Sequence, residues 1–415
     1  MSVKQNILII GFVWPEPNSS AAGSRMLQLI IFFQSQNYQV YFATTATETD
    51  HMVNIEELGV VVQQITLNHD SFDVYVRKIN PHIVLFDRFM VEEQFGWRVA
   101  EQCPNAVRVL DTEDLHSLRK TRQAALKKNI DFSPQLLLSS EIAKREIASI
   151  YRCDLSLIIS TYEMELLQEV FKIEASLLSY LPFKLSAISE RSYNTFPSFE
   201  ERNHFMCVGN FRHEPNWNMV QYLKQSIWPL IRQQLPKAEL HVYGSYPSEK
   251  VTQLHNKQEG FLVKGWADDV HALMQNARVC LAPIRFGAGI KGKFTDAMQN
   301  GLPSVTTSIG AEGMTHSMTW GGCIDDSVEG LAKKAVELYQ DNNKWLDAQN
   351  NGKQLIDKIY SSDKFERALL KKIRSISNDL IAHRQSNFIG AMLHHHTLKS
   401  TMYLSKWITE KEKNN

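Results

Sequence analysis

Short apolar runs alternate along the chain with longer segments in which apolar residues recur at helical spacing, and this alternation sets the expected architecture. Ile7 to Ile10, Gln39 to Ala43, Val60 to Leu67, Ile83 to Phe86, Val107 to Leu110 and Leu155 to Ser160 read as strands. Between them lie a helix from about Ser24 to Gln36, another after Phe86, and a long one from Ser133 to Tyr151. Strands and helices in this order predict a parallel α/β domain. The pattern breaks over residues 184–202, which are polar, serine-rich and interrupted by Pro197, as in an interdomain linker. It resumes with Phe205 to Gly209, a helix opened near its first turn by Pro215, then Glu239 to Gly244, Phe261 to Gly265, Val279 to Ala282 and Pro303 to Thr307. From Ser327 the chain reads as largely helical. The expectation is α/β, two Rossmann-like domains in tandem over residues 1–190 and 203–375, with a helical segment over 376–415.

Length agrees with that division, because 415 residues exceed what one hydrophobic core usually serves. Apolar residues make up 43% and charged residues 22%, which excludes a disordered or fibrous chain. The 45 Lys and Arg balance 45 Asp and Glu, so no global field draws the protein to nucleic acid or to an anionic bilayer. Cys103, Cys153, Cys207, Cys280 and Cys323 lie far apart with no C-x-x-C, a pattern of reduced thiols that fits the cytosol. Val3 to Ile10 is shorter than the apolar region of a secretion signal, and no run approaches the ~18 residues of a membrane span. A cytoplasmic protein is expected, with membrane association at most peripheral, at the inner face.

Open α/β sheets bind ligands beyond the carboxyl ends of their strands, so the loops there are where candidate chemistry is sought. The most informative stretch, Gly287 to Pro303, reads as glycine loop, helix and stop. Phe294, Ala297, Met298 and Gly301 share one helical face, Lys293 and Asp296 another. Glycines admit close backbone approach, and a helix start offers unpaired N–H groups to an anion. Lys293 adds a full charge in the first turn, Asp296 is spaced to meet a ribose hydroxyl, and Arg285 lies just upstream. An anion site with a polyhydroxylated neighbour is expected. The loop from Gly11 to Gly23 follows the first strand, but its glycines are too far apart for a dinucleotide fingerprint. Asp111 to Arg119 gathers three carboxylates, one histidine and one arginine, either a site or a helix N-terminus decorated with acids. Asp268 and Asp269 precede Val270, Leu273 and Met274 at helical spacing and read as a helix cap rather than a metal site. His394, His395 and His396 sit among apolar residues and read as part of a packing helix rather than a zinc site, so no metal is expected.

Lys264-Gly265-Trp266-Ala267-Asp268-Asp269-Val270, Ala282-Pro283-Ile284, Gly287 to Lys293, Asp296-Ala297-Met298, Gly301-Leu302-Pro303 and Gly310-Ala311-Glu312-Gly313 resemble, in that order, the C-terminal domain of family 4 (group 1) glycosyltransferases, which have the GT-B fold. Val208-Gly209-Asn210, Pro215-Asn216, Trp228-Pro229-Leu230 and Tyr243-Gly244 extend the resemblance, which spans residues 204–314. It implies a nucleotide-sugar donor, UDP- or GDP-linked, on the C-terminal domain and a glycan, lipid-linked or other acceptor on the N-terminal one. Transfer would occur in the cleft between them, with retention of configuration and with neither metal nor other cofactor. By the same resemblance Gly209, Arg212, Gly265, Arg285, Gly287, Gly289, Ile290, Lys293 and Asp296 bind the donor. The N–H groups of Gly289 and Ile290 and the Lys293 ammonium would meet the diphosphate, Asp296 the ribose, and backbone near Val263 to Gly265 the base. Gly11, Gly23, Asp114 and His116 would lie on the acceptor side, with His116 and Lys293 catalytic. Many relatives carry a glutamate eight residues before the helix acid, a place held here by Ala288, and the helix acid itself is Asp296. The last helix, with Phe388, Ile389, Met392, Leu398, Met402, Tyr403 and Trp407 apolar, is expected to pack across the domain boundary, membrane-surface docking being the alternative. A nucleotide-sugar epimerase of the same fold and a catalytically lapsed glycan- or nucleotide-binding subunit are the alternative functions.

Overall fold

The structure, a computed structural model, describes residues 4–395 together with Tyr403, Trp407 and Lys411. β1 (Gln5–Gly11), β2 (Tyr38–Thr44), β3 (Val61–Gln64), β4 (Ile83–Asp87), β5 (Val107–Asp111), β6 (Leu155–Ile158) and β7 (Leu178–Tyr180) make one parallel sheet, ordered β3-β2-β1-β4-β5-β6-β7. β8 (Asn203–Val208), β9 (Leu240–Tyr243), β10 (Phe261–Gly265), β11 (Ala277–Leu281), β12 (Ser304–Thr306) and β13 (Gly322–Ile324) make a second, ordered β10-β9-β8-β11-β12-β13. Two Rossmann-like α/β domains in tandem are what the pattern predicted. Each sheet reverses its direction of growth once, between β1 and β4 and between β8 and β11. Crevices form at such reversals, beyond the carboxyl ends of the strands.

β1 shows how the sequence builds the first domain. Ile7 and Ile9 join one apolar layer and Leu8 and Ile10 another, because alternate side chains leave opposite faces of a strand. Helices cover both faces, so the run is apolar throughout instead of alternating. The layer under Ile7 and Ile9 is completed from the far end of the chain by Leu369, Ile373 and Ile376 of the helix Lys364–Asn378, one stripe at helical spacing. The chain therefore returns to the N-terminal domain before residue 376, where the appended segment was expected to start. Two backbone carbonyls hold the crossing: Tyr360 O accepts from Leu185 N–H at 2.8 Å, and Met314 O accepts from the buried Tyr360 hydroxyl at 2.9 Å.

Other departures have local causes. The expected long helix over Ser133 to Tyr151 is two, Pro134–Leu138 and Glu141–Arg152, separated by Ser139 and an extended Ser140 (φ −74°, ψ 129°). Serine competes for its own backbone and suits such breaks. The first helix begins at Ala21 rather than near Ser24, because Ser20 Oγ accepts from Gly23 N–H at 3.1 Å and caps it there. β7 and β13, three residues each at sheet edges, are too short to show in the apolar pattern.

The helix Phe388–His395 rests on Glu141–Arg152 of the N-terminal domain rather than across the boundary. Gly390 permits the contact, since a Cβ there would stand 2.2 Å from Tyr151 O, and Asn387 donates to the same oxygen at 2.7 Å. Phe388, Ile389 and Met392 stay exposed; Leu398 and Met402 lie outside the described residues. His394 Nε2 lies 2.9 Å from an Arg108 guanidinium nitrogen and 3.0 Å from Arg152 O, while His396 is outside the described residues. All five cysteines are free thiols, and no helix among the described residues is long and apolar enough to cross a membrane.

Candidate functional site

Loops after β1, β4 and β5 face loops after β8, β9, β10 and β11 across a cleft of about 890 Å³. Side chains reach over it from both domains. Arg122 grips Glu312 with two bonds of 2.7 and 2.8 Å and donates a third, of 3.0 Å, to Gly287 O. At the opposite rim Tyr246 donates to Glu16 at 3.0 Å, Ser19 bonds Ser245 at 3.0 Å, and the His51 and Trp266 rings stack 4.2 Å apart at 9°.

On the C-terminal wall the glycine loop leads into the helix Gly292–Gln299. The N–H groups of Gly292 and Lys293 at its start have no preceding turn to bond and point back toward the loop, while Phe294 N–H donates to Lys291 O at 2.9 Å. Gly292 lets that helix start press on the other domain, for a Cβ there would lie 2.6 Å from Ala21 Cβ. Lys293 Nζ donates to the neutral Asn216 Oδ1 at 2.7 Å, and Lys291 Nζ to Gly289 O at 2.9 Å. Burial pushes both ammonium groups down to about 8. Asp296, on the same helical face as Lys293, is pushed up to about 6 by burial against the pull of nearby His271. Asp269 caps the helix Val270–Asn276 by accepting from Ala272 N–H at 3.0 Å, as its spacing predicted.

On the N-terminal wall the Asp111 to Arg119 cluster divides by role. Asp111 faces away from the cleft, fully buried against Arg25 at 2.8 Å. Asp114 receives two bonds from Arg119, at 2.6 and 3.1 Å, and lies 3.3 Å from His116 Nε2. That charge holds Asp114 well below the usual carboxylate range although burial opposes it. Burial pushes the His116 imidazole down to about 4, against Asp114, so the ring is neutral at pH 7. The helix His116–Lys127 is capped from a distance: Glu146 accepts from the N–H groups of His116 and Ser117, each at 2.9 Å.

Of the residues singled out by sequence, Gly209, Arg212, Gly287, Ile290, Lys293, Asp296, Asp114 and His116 line this one cleft. Five others do not. Arg285 turns aside to Asn218 at 2.9 Å and lies over the Tyr222 ring. Gly289, left-handed at φ 60°, spends its N–H on Glu163 Oε1 at 2.8 Å, so that group is already taken in this arrangement. Gly265, at φ 76°, ends β10 and delivers Trp266 to the cleft. Gly11 and Gly23 serve packing: a Cβ would stand 2.3 Å from the Phe42 ring at the first and 2.3 Å from the Glu16 backbone at the second.

Sequence reading passed over Arg88, His213, Asn216 and Lys291 as individual site residues, and all four line the cleft. Arg88 directly follows a buried strand, and Lys291 sits inside the glycine stretch, so strand-end position could have found both. His213 and Asn216 carry no such signal. Among the described residues no group of three or more His, Cys, Asp or Glu is arranged to hold a metal ion.

Residues 202–341 match the family model described as "Glycosyl transferases group 1". No curated protein sequence matches the chain. Among solved structures, sucrose-phosphate synthase from Thermosynechococcus elongatus is similar with a TM-score of 0.65 at 14% identity, over 90% of this chain and 99% of that one. The pneumococcal O-GlcNAc transferase GtfA, solved with UDP and GlcNAc, is similar at 0.67 and 11%, over 91% and 100%. A glycosyltransferase from Rickettsia africae is similar at 0.65 and 11%, over 91% and 99%. At these identities the likeness speaks for fold. The chain thus has the GT-B fold, and its C-terminal domain resembles that of the group 1 glycosyltransferases in sequence as well.

Proposed function

We propose that this protein is a glycosyltransferase that moves a sugar from a UDP- or GDP-linked donor to a glycan or other acceptor in the interdomain cleft, with retention and without a metal. The observation that carries the reading is Lys293: a half-buried ammonium in the first turn of a helix facing the cleft, whose hydrogen-bond partners, Asn216 Oδ1 and Met219 Sδ, are both neutral. Such a cation lacks its anion. A nucleoside diphosphate leaving group gains negative charge as the glycosidic bond breaks, so fixed cations and N–H dipoles bind it more tightly in the transition state than in the ground state. Lys293, Lys291 and the N–H groups from Ile290 onward would do this work, Asp296 would accept from the ribose, and neutral His116 would exchange hydrogen bonds with a sugar hydroxyl. Similar structures agree with such a donor: the GtfA complex holds UDP and GlcNAc, and an Anabaena HepE complex holds UDP and glucose. An epimerase or a lapsed binding subunit finds no comparable support. Five free cysteines, four of them buried, suit the reducing cytoplasm.

Screening nucleotide sugars for thermal stabilisation tests the reading, since a ligand at a hundred times its Kd stabilises by about 2.7 kcal/mol. No shift with any UDP or GDP sugar would count against it.

A pH profile follows from the two groups flanking the donor. A bound diphosphate raises the Lys293 pKa above its free value of about 8, so affinity is full below that pH and falls above it. Asp296 accepts a ribose hydroxyl best when ionised, so affinity falls as pH drops through about 6. UDP affinity against pH is expected to show a plateau between these limbs. A flat profile would remove both assigned roles.

A further inference from the structure

Two polar groups in the cleft have no part in the donor reading. Arg88 and Glu113 follow β4 and β5, neighbouring strands that pair in register up to Asp87 and Asp111, and both line the cleft. Both have left-handed backbones, φ 74° at Arg88 and 62° at Glu113, which non-glycine residues hold only where the surroundings impose them. Arg88 Nε and Glu113 Oε1 are buried without a hydrogen-bond partner. The two side chains feel each other's charge, yet no ion pair joins them among the described residues.

Their neighbours are already engaged. Asp111 belongs to Arg25 and Asp114 to Arg119. Asp87 Oδ2 accepts from Phe12 N–H at 2.8 Å, and its other oxygen makes a long ion pair with Arg88 Nε at 3.6 Å, beyond hydrogen-bond reach. The Arg88 guanidinium lies over the Phe12 ring, 5.1 Å from its centroid. Burial, with the charge of Asp111 next, pushes Glu113 up to about 8, so the carboxyl keeps its proton at neutral pH and offers an O–H as well as an oxygen. A buried donor and a buried acceptor left open in one wall are costly unless something fills them.

Adjacent sugar hydroxyls fit that pair, because each hydroxyl both donates and accepts. A phosphate, which only accepts, would suit Arg88 but leave the Glu113 carbonyl oxygen without a donor and meet the Asp114 carboxylate. We propose that Arg88 and Glu113 form a subsite for a vicinal diol of a sugar in the cleft. The proposal rests on the glycosyltransferase reading, and its position on the N-terminal wall points to the acceptor, which is then a glycan rather than a simple alcohol.

The test has two arms, run on the full chain. In the acceptor arm, UDP-saturated protein is examined by saturation-transfer NMR with the methyl glycosides of glucose, galactose, mannose and N-acetylglucosamine. In the donor arm, calorimetry compares UDP with UDP-glucose and UDP-N-acetylglucosamine. Arg88→Ala and Glu113→Ala are expected to weaken glycoside binding, or the extra affinity of a nucleotide sugar over UDP, at least about fivefold each. Glu113→Gln, which keeps an acceptor oxygen, should retain part of the binding. Glu113→Gly relaxes the left-handed backbone and should melt no lower than wild type while losing the sugar, an outcome a merely structural role does not give. The proposal is overturned if wild type binds no sugar in either arm, or if both alanine variants bind sugar as wild type does. UDP and GDP affinity measured in the same samples separates the two readings: either nucleotide bound with both arms blank removes only the diol subsite, whereas binding of neither removes the glycosyltransferase reading.

Discussion

Lys293→Ala is expected to weaken nucleoside diphosphate binding by about 1.5–3 kcal/mol, roughly 10- to 150-fold, the worth of a hydrogen bond to a charged group. The side chain is the one ammonium on the first turn of Gly292–Gln299, and among the described residues no carboxylate forms an ion pair with it. Turnover should fall at least as far, because charge on the leaving group grows along the reaction. Lys293→Met separates this from damage to the fold. It keeps most of the volume and removes a half-buried cation that has only neutral partners, so Lys293→Met should unfold no earlier than wild type while losing the nucleotide. Calorimetric titration alongside thermal unfolding reads both quantities. A variant that binds like wild type, or one that loses stability and binding together, would sink the phosphate role.

Arg25→Met should be the most damaging single change to stability in the N-terminal domain, at about 3–5 kcal/mol. Arg25 is 1% exposed and gives three nitrogen contacts of 2.8 to 3.1 Å to Asp111, plus a bond of 2.7 Å to Leu181 O. Removing it strands an ionisable Asp111 that is itself fully buried. Replacing both partners, Arg25→Met with Asp111→Leu, should restore most of the loss, since two apolar groups of similar volume leave no unpaired charge. Denaturant unfolding followed by a probe in the N-terminal domain measures this, and a single variant within about 1 kcal/mol of wild type would contradict it. Asp111 thus anchors the loop carrying Glu113, Asp114 and His116 and faces away from the cleft.

These residues show where sequence reading stopped. Strands such as Ile7 to Ile10 were legible because burial on both faces leaves continuous apolar runs, and the glycine stretch was legible because Lys293 and Asp296 are three apart on one helix. Roles fixed by distant partners were not. Asp111 and Arg25 are 86 positions apart, and the bond that occupies Gly289 N–H comes from Glu163, 126 positions away. Arg285 looked like a second cation for the phosphate, yet the nearby Tyr222 ring and Asn218 draw it off the cleft. The left-handed backbones of Arg88 and Glu113 have no sequence signature at all, since glycine or asparagine would be the usual choice there. The C-terminal return likewise depends on Leu369, Ile373 and Ile376, whose partner sheet lies far away in sequence and leaves no local signal.

The central claim is that the cleft holds a nucleoside diphosphate on the N-terminal turn of the helix Gly292–Gln299. Isothermal titration of the intact chain with UDP and with GDP, in EDTA, tests it most directly. One of the two nucleotides is predicted to bind at a single site per chain, with Lys293→Met losing that binding. Wild-type protein that takes up neither nucleotide at about 1 mM, where binding free energy is only about 4 kcal/mol, would contradict it.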